Sequence, residues 1–252
     1  MRRVLLIFLM LATGLVFSVS PALADKKVTI KPIDHPAPGI ISLGERTGPA
    51  CVVGNTHPPY WAIGDFLLPP ENYKLSFNPL QGDCPASCPP PTWWGFKTTT
   101  IHIILQVAEP CTLTLAVDIE EATYSGGLDC PEPSIPACGT NLLQVVLTSS
   151  GMWDIGLPID CDCLSLHRKY LIGFYIDSYS NAGGTVPSLV TDAGPATLCT
   201  NYNNYGSGWM DLTSAYPSWP GNLVFFAEAE CCELPVPTEE KSWGFIKKLY
   251  EK

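Results

Sequence analysis

The sequence predicts an all-β protein: an antiparallel, disulfide-stapled sandwich of jelly-roll type, followed by a short C-terminal helix. Three observations predict it. Apolar residues recur at every second position in a series of short runs, the period of a strand with one face in a core. Pro and Gly separate those runs, with 25 Pro and 21 Gly in 252 residues and only 15% of residues charged; that is a composition of turns and not of helical bundles. Eleven cysteines follow an export leader, the pattern of a disulfide framework.

The leader occupies residues 1–24. Arg2 and Arg3 form a basic start, Val4 to Val19 an apolar run, and Ala22-Leu23-Ala24 a small-x-small cleavage site before Asp25. This is the layout of a signal peptide that leaves the mature chain. The apolar run is short for a membrane span, and after its removal no segment approaches the roughly twenty apolar residues a span needs. Losing Arg2 and Arg3 takes the formal charge from −10 to −12. So acidic a surface repels nucleic acid and anionic lipid. It suits a secreted protein, whether extracellular, cell-surface or periplasmic, and tolerates a divalent cation.

From 25 to 234 the sequence reads as one sandwich domain. Up to Phe96, short apolar runs alternate with Pro and Gly and show no helical period. Ile101, Ile103, Leu105 and Val107 then share one face, with His102, Ile104 and Gln106 opposite. Leu113, Leu115, Val117 and Ile119 alternate with Thr112, Thr114, Ala116, Asp118 and Glu120, the mark of a half-buried antiparallel strand. Further runs at 141–149, 152–159, 169–179, 188–192 and 222–230 continue the series between turn signals. The absence of an internal repeat argues against a propeller or solenoid. Residues 235–252 form a Pro-spaced linker and a short amphipathic helix. Thr238 is its N-cap, and Trp243, Ile246, Leu249 and Tyr250 share a face. The helix either docks on its own domain or serves as a retention tag.

Two cysteine pairs look local: Cys84 with Cys88 across a Pro-rich turn, and Cys130 with Cys138. The remaining connectivity is open, and the odd total leaves one thiol free or bonded between molecules. Cys161, Cys163, Cys231 and Cys232 are an alternative zinc set, since zinc takes four sulfurs, but their spacing and an oxidising compartment favour disulfides.

Nucleophile and phosphate motifs are missing; Ser207 in YGSGW lacks the G-x-S-x-G spacing. His35, His57, His102 and His167 read as loop or strand residues. Asp118 and Glu120 project from one strand face, with Glu121 on the other. They are either a solvated outer face or the paired acids of a glycosidase-like hydrolase. Asp129, Asp154, Asp160, Asp162, Asp177, Asp192 and Asp211 sit near strand ends as candidate calcium ligands, without an EF-hand loop. No other cofactor is expected.

The segment 201–212, NYNNYGSGWMDL, reads as an irregular loop because Asn and Gly accept left-handed backbone. Tyr202, Asn204, Tyr205 and Trp209 are its candidate ligand-binding residues, with Trp93, Trp94 and Trp219 as reinforcements. Flat apolar rings with amide edges match the faces and hydroxyl rims of a sugar. The alternative is a structural corner whose aromatics plug the open end of the core.

YWAIGDFLLPPENYKLSFNP, the Cys-Pro-rich turn after it, NYNNYGSGWMDL with WPGNLVFFAEAEC, and the terminal SWGFIKKLY together resemble a group of secreted bacterial β-sandwich proteins of unassigned function. The resemblance implies compartment and architecture and brings no catalytic residues. The expected function is a non-catalytic binding or surface-structural module. Its partner would be a polysaccharide or a component of the extracellular matrix or cell envelope.

Overall fold

The computed structural model describes residues 29–32, 39–42, 51–88, 94–124 and 130–234. The expected leader, the expected C-terminal linker and helix, His35, Trp93 and Asp129 lie outside the described residues. Those described contain β1 (Thr29–Pro32), β2 (Gly39–Ser42), β3 (Cys51–Gly54), β4 (Pro59–Gly64), β5 (Glu71–Phe77), β6 (Trp94–Val107), β7 (Cys111–Thr123) and β8 (Glu132–Gly139). Then come β9 (Leu143–Leu147), β10 (Gly151–Pro158), β11 (Leu164–Ser165), β12 (Tyr170–Asn181), β13 (Ser188–Asp192), β14 (Asn201–Asn204), β15 (Met210–Asp211) and β16 (Phe225–Glu233). Two single-turn helices, α1 (Cys84–Ser87) and α2 (Leu212–Ala215), and a 3-10 turn at Pro79–Gln81 complete the set. Among these residues no helix is long and apolar enough to cross a membrane.

The strands form a nine-stranded and a seven-stranded sheet. The first runs β1-β4-β13-β6-β10-β2, with β16 and β3 continuing it beside β6; the second runs β15-β14-β5-β12-β7-β8, with β9 also on β7. Successive strands β4, β5, β6 and β7 alternate between the two sheets, and β10, β12 and β13 alternate back. The result is the neighbours β4-β13-β6-β10 over β5-β12-β7-β9, the double Greek key of a jelly roll. Pairing is antiparallel except for β2 on β10.

The alternation read from the sequence is the alternation that buries the core. Ile101, Ile103 and Leu105 of β6, and Leu113, Leu115, Val117 and Ile119 of β7, are fully buried. Phe174 of β12 stacks on Tyr73 of β5 and meets Phe225 of β16 edge-on, each at 5.5 Å between ring centres. One ring thus ties the two sheets together, by contacts of about 0.5–1.5 kcal/mol beyond area burial. The outward face of β6 is also covered: Ile104 packs with Met152, Val190 and Val224 in a smaller apolar cluster.

Five disulfides join Cys51–Cys84, Cys88–Cys231, Cys130–Cys199, Cys138–Cys161 and Cys163–Cys232. All four cysteines expected in local pairs are oxidised, but both local pairings are wrong. Cys84 begins α1 and Cys88 caps it, their backbones joined by a 2.7 Å hydrogen bond; one end of the turn is pinned to β3 and the other to the end of β16. Cys130 and Cys138 are held apart by the extended β8, since eight strand residues span roughly 26 Å. The four sulfurs of the zinc alternative are all in disulfides. Cys111 is the free thiol, and it is buried, which removes it as an intermolecular bridge. Burial also pushes its thiol above the usual range, away from reactive thiolate.

Candidate functional site

The two groups that the sequence singled out separately, the acids of β7 and the 201–212 aromatics, meet on the outer face of the seven-stranded sheet. Their meeting point is Lys74. In register, Tyr202 of β14 lies opposite Lys74 of β5, Lys74 opposite Gly173 of β12, and Gly173 opposite Asp118 of β7. Glycine is required in the middle: a Cβ on residue 173 would stand 1.8 Å from the Tyr73 carbonyl oxygen. The bare backbone leaves the lysine a path across β12. Its ammonium bonds Asp118 Oδ1 and lies 2.9 Å from Glu120 Oε1, while Lys74 itself is 0% exposed. Trp209 closes the other side, its ring centre 5.9 Å from Lys74 Nζ, within cation–π range.

The electrostatics follow. Burial raises the Asp118 carboxyl above the ordinary carboxylate range, Lys74 opposes that rise, and neighbouring Glu120 adds to it. The two acids are not a solvated face, because Glu120 is buried. A glycosidase pair would leave both carboxylates open to a scissile bond, whereas here the Lys74 ammonium engages both.

The 201–212 segment is more ordered than a loop. Asn201–Asn204 is strand β14, paired with β5 on one side and with β15 on the other. Asn201, Tyr202 and Asn203 are buried. Asn201 Oδ1 accepts from the Leu223 amide at 2.8 Å, and its Nδ2 donates to Asn222 Oδ1 at 3.0 Å. Side-chain amides replace the apolar contacts a strand normally relies on, so nothing in the local sequence announces it. Only the tip is a turn: Gly206 and Gly208 have φ of +97° and +108°, and the Gly206 amide bonds Asn204 Oδ1 at 2.8 Å.

The candidate binding residues therefore divide. Tyr202 is core-like; burial first, then Asp211, raises its phenol well above normal. Asn204, Tyr205 and Trp209 are partly exposed at the tip. Beside them the next cross-strand row presents Asn204, Asn72 and Tyr175, on the same face as Lys74 by strand alternation. Asn72 and Tyr175 had no signal in the sequence, since only register brings them to the aromatics. Trp219 is 5% exposed and packs on Phe66 at 5.2 Å, so it plugs the core. The side chain of Trp94 lies outside the described residues.

A second polar centre forms around Asp192, one of the calcium candidates. The buried Asp192 carboxylate accepts from Asn55 Nδ2 at 2.9 Å, the Asn222 amide at 3.0 Å and the Gly194 amide at 3.1 Å. It knots the turn between β3 and β4 to the exit of β13 and the approach to β16. Beside it opens a cleft of about 450 Å³ lined by Asn55, His57, Gln81, Thr197 and Asn222 among others. Three more of the calcium candidates are likewise engaged. Asp154 Oδ1 lies 2.7 Å from His102 Nδ1, Asp160 pairs with Lys97 at 2.8 Å, and Asp211 caps α2 through the Ser214 amide. Among the described residues no three metal-ligating side chains gather as a cation site. His102 is buried on the outer face of the nine-stranded sheet, stacked on Phe226 with 4.5 Å between ring centres. His57 and His167 line separate clefts.

Residues 67–229, more than half of the chain, match the family described as Domain of unknown function (DUF7451), and the chain belongs to that family. No curated protein sequence matches it. Two solved structures are similar over part of their length. One holds the cysteine protease and lectin-like domains of Cwp84, a surface layer associated protein of Clostridium difficile. It has 15% identity and a TM-score of 0.42, with 69% of this chain and 34% of that chain covered. The other is the clostridial cysteine protease Cwp84 after propeptide cleavage, at 15% identity and a TM-score of 0.40, covering 67% and 37%. The chain thus spans about a third of the length of these proteins.

Proposed function

We propose that this member of the DUF7451 family is an exported, non-catalytic binding module that holds a carbohydrate on the outer face of its seven-stranded sheet. The observation that carries the reading is the placement of Trp209. Its ring is partly exposed and seated over the buried Lys74 ammonium, beside Tyr205 and the row Asn204, Asn72 and Tyr175. A ring fixed from beneath loses little freedom on binding, which lowers the cost of capturing a ligand. Its free face matches the apolar face of a sugar, and the flanking amides supply donors and acceptors for the hydroxyl rim.

Five disulfides support an oxidising compartment, extracellular, cell-surface or periplasmic. Acids given over to an internal cation support binding and not turnover. The test is a glycan array and polysaccharide pull-down with wild type and a Tyr205→Ala, Trp209→Ala double variant. Loss of binding in the folded variant is expected; unchanged binding removes the tip from the mechanism.

A further inference from the structure

Between Cys51 and Leu234 the sequence holds four Lys or Arg residues, Lys74, Lys97, Arg168 and Lys169, against eighteen Asp or Glu. Lys74 is spent inside the sheet, and Lys97 pairs with Asp160. The other two are consecutive, follow His167, and line a cleft of about 390 Å³ with Tyr124 and Leu80. Between Cys51 and Leu234 the positive charge beyond Lys74 and Lys97 is therefore gathered at one place; Lys31, exposed on β1, belongs to the nine-stranded sheet. That place is a concavity, within the size range of small-ligand sites.

The cleft is built on fixed backbone. His167 and Arg168 belong to the turn between β11 and β12. The His167 amide bonds Ser165 Oγ at 3.2 Å, and the Tyr170 hydroxyl bonds the Ser165 carbonyl at 3.1 Å. The Lys169 carbonyl accepts from the Ala122 amide at 3.0 Å, which fastens the turn to β7. Glu121 holds the Arg168 guanidinium through Nη1, leaving donors on the rest of the planar fork. Lys169 makes no ion pair among the described residues; its ammonium stands 6.0 Å from the centre of the Tyr124 ring. Tyr124 is 55% exposed and Leu80 47%, so an aromatic face and a small apolar floor lie beside two cations. The cleft as a whole keeps an excess of positive charge over Glu121.

We propose that this cleft binds the anionic residue of an acidic polysaccharide. The sugar ring lies on Tyr124, and its carboxylate takes Lys169 and the free edge of Arg168. A neutral glycan would leave the two cations unpartnered by ligand, and a bare anion would leave the aromatic face empty. Only a charged ring uses both. Trp209, Tyr205 and Asn204 are not among the residues lining this cleft, and neither reading depends on the other.

The experiment measures binding of the whole secreted chain to polygalacturonate, to the same polymer fully methyl-esterified, and to sodium sulfate. Wild type is expected to retain polygalacturonate at low salt, to release it as salt rises, and to bind the esterified polymer at least tenfold more weakly. Arg168→Ala with Lys169→Ala should weaken polygalacturonate binding at least tenfold, and Tyr124→Ala severalfold, each with an unchanged melting temperature because these side chains are exposed. Trp209→Ala should leave this binding intact. Sulfate competing as well as galacturonate oligomers would reduce the site to an anion pocket and overturn the saccharide assignment. Equal binding of both polymers, binding of neither, or an unaffected Lys169→Gln variant would overturn the proposal outright.

Discussion

The ammonium of Lys74 lies 2.9 Å from the Glu120 carboxylate inside a sheet face where the lysine is fully covered. This pairing, with Asp118 as third member, organises the outer face on which Trp209 sits. A buried ion cluster contributes little net stability when complete but is costly to break. Lys74→Met should therefore destabilise the fold by about 3 kcal/mol, by leaving the buried Glu120 and the half-buried Asp118 without a cation. Adding Asp118→Asn and Glu120→Gln to Lys74→Met should recover most of that loss. Urea unfolding of the single and triple variants decides the matter; a single variant as stable as wild type would mean the cluster carries no structural weight.

The same cluster sets a pH dependence. Burial raises the folded-state pKa of Asp118, so the folded protein holds this proton more tightly than the unfolded chain does. The stabilising contribution is complete below the unfolded carboxylate value of about 3.9. It is lost as pH rises through the higher folded value. Asp118→Asn should flatten that part of the stability profile and gain on wild type toward neutral pH. A profile with the same slope in both proteins would exclude Asp118 as its source.

Gly173 tests the path that Lys74 takes across β12. A methyl group there would enter the Tyr73 carbonyl, and Gly173→Ala should cost about 3 kcal/mol or more, at the upper end for overpacking. Gly139→Ala is the control, because its Cβ would stand 3.2 Å from Asp118 Cβ, a contact a side chain can relax. Comparable melting temperatures for the two variants would contradict the packing described for this row.

The disulfide pattern predicts a chemical result. Non-reducing peptide mapping should join Cys88 to Cys231 across 143 residues, and no peptide should contain a Cys84–Cys88 bond. On the chain-entropy account, closing so long a loop stabilises the fold by about 5 kcal/mol, so Cys88→Ser with Cys231→Ser should lower the melting temperature sharply. A thiol reagent should find no reactive cysteine in the folded protein and one, Cys111, after denaturation without reductant. Immediate labelling of the native chain would place Cys111 at the surface.

Sequence and structure agree where the determinant is local. Side chains two apart on a strand share a face by covalent geometry, so Ile101 to Val107 and Leu113 to Ile119 announced β6, β7 and a sandwich before any partner strand was known. The turn residues between them and the cysteine count pointed the same way. The candidate site was half legible: Trp209, Tyr205, Asp118 and Glu120 stood out as chemistry, but as two unrelated groups. The lysine that joins them is silent in the sequence, because an isolated lysine in ENYKLSF has no local mark of burial.

By itself, then, the chain determined its class, its period, its acidity and its stock of oxidisable sulfur, all properties of residue type and near spacing. Tertiary structure alone decided which cysteines meet, that Asn201–Asn204 is a strand and not a loop, and that Lys74 crosses Gly173 to reach Asp118. Each of those depends on register between segments tens of residues apart. A shift of one residue turns every side chain to the opposite face, and only the packing of the whole core selects among the shifts.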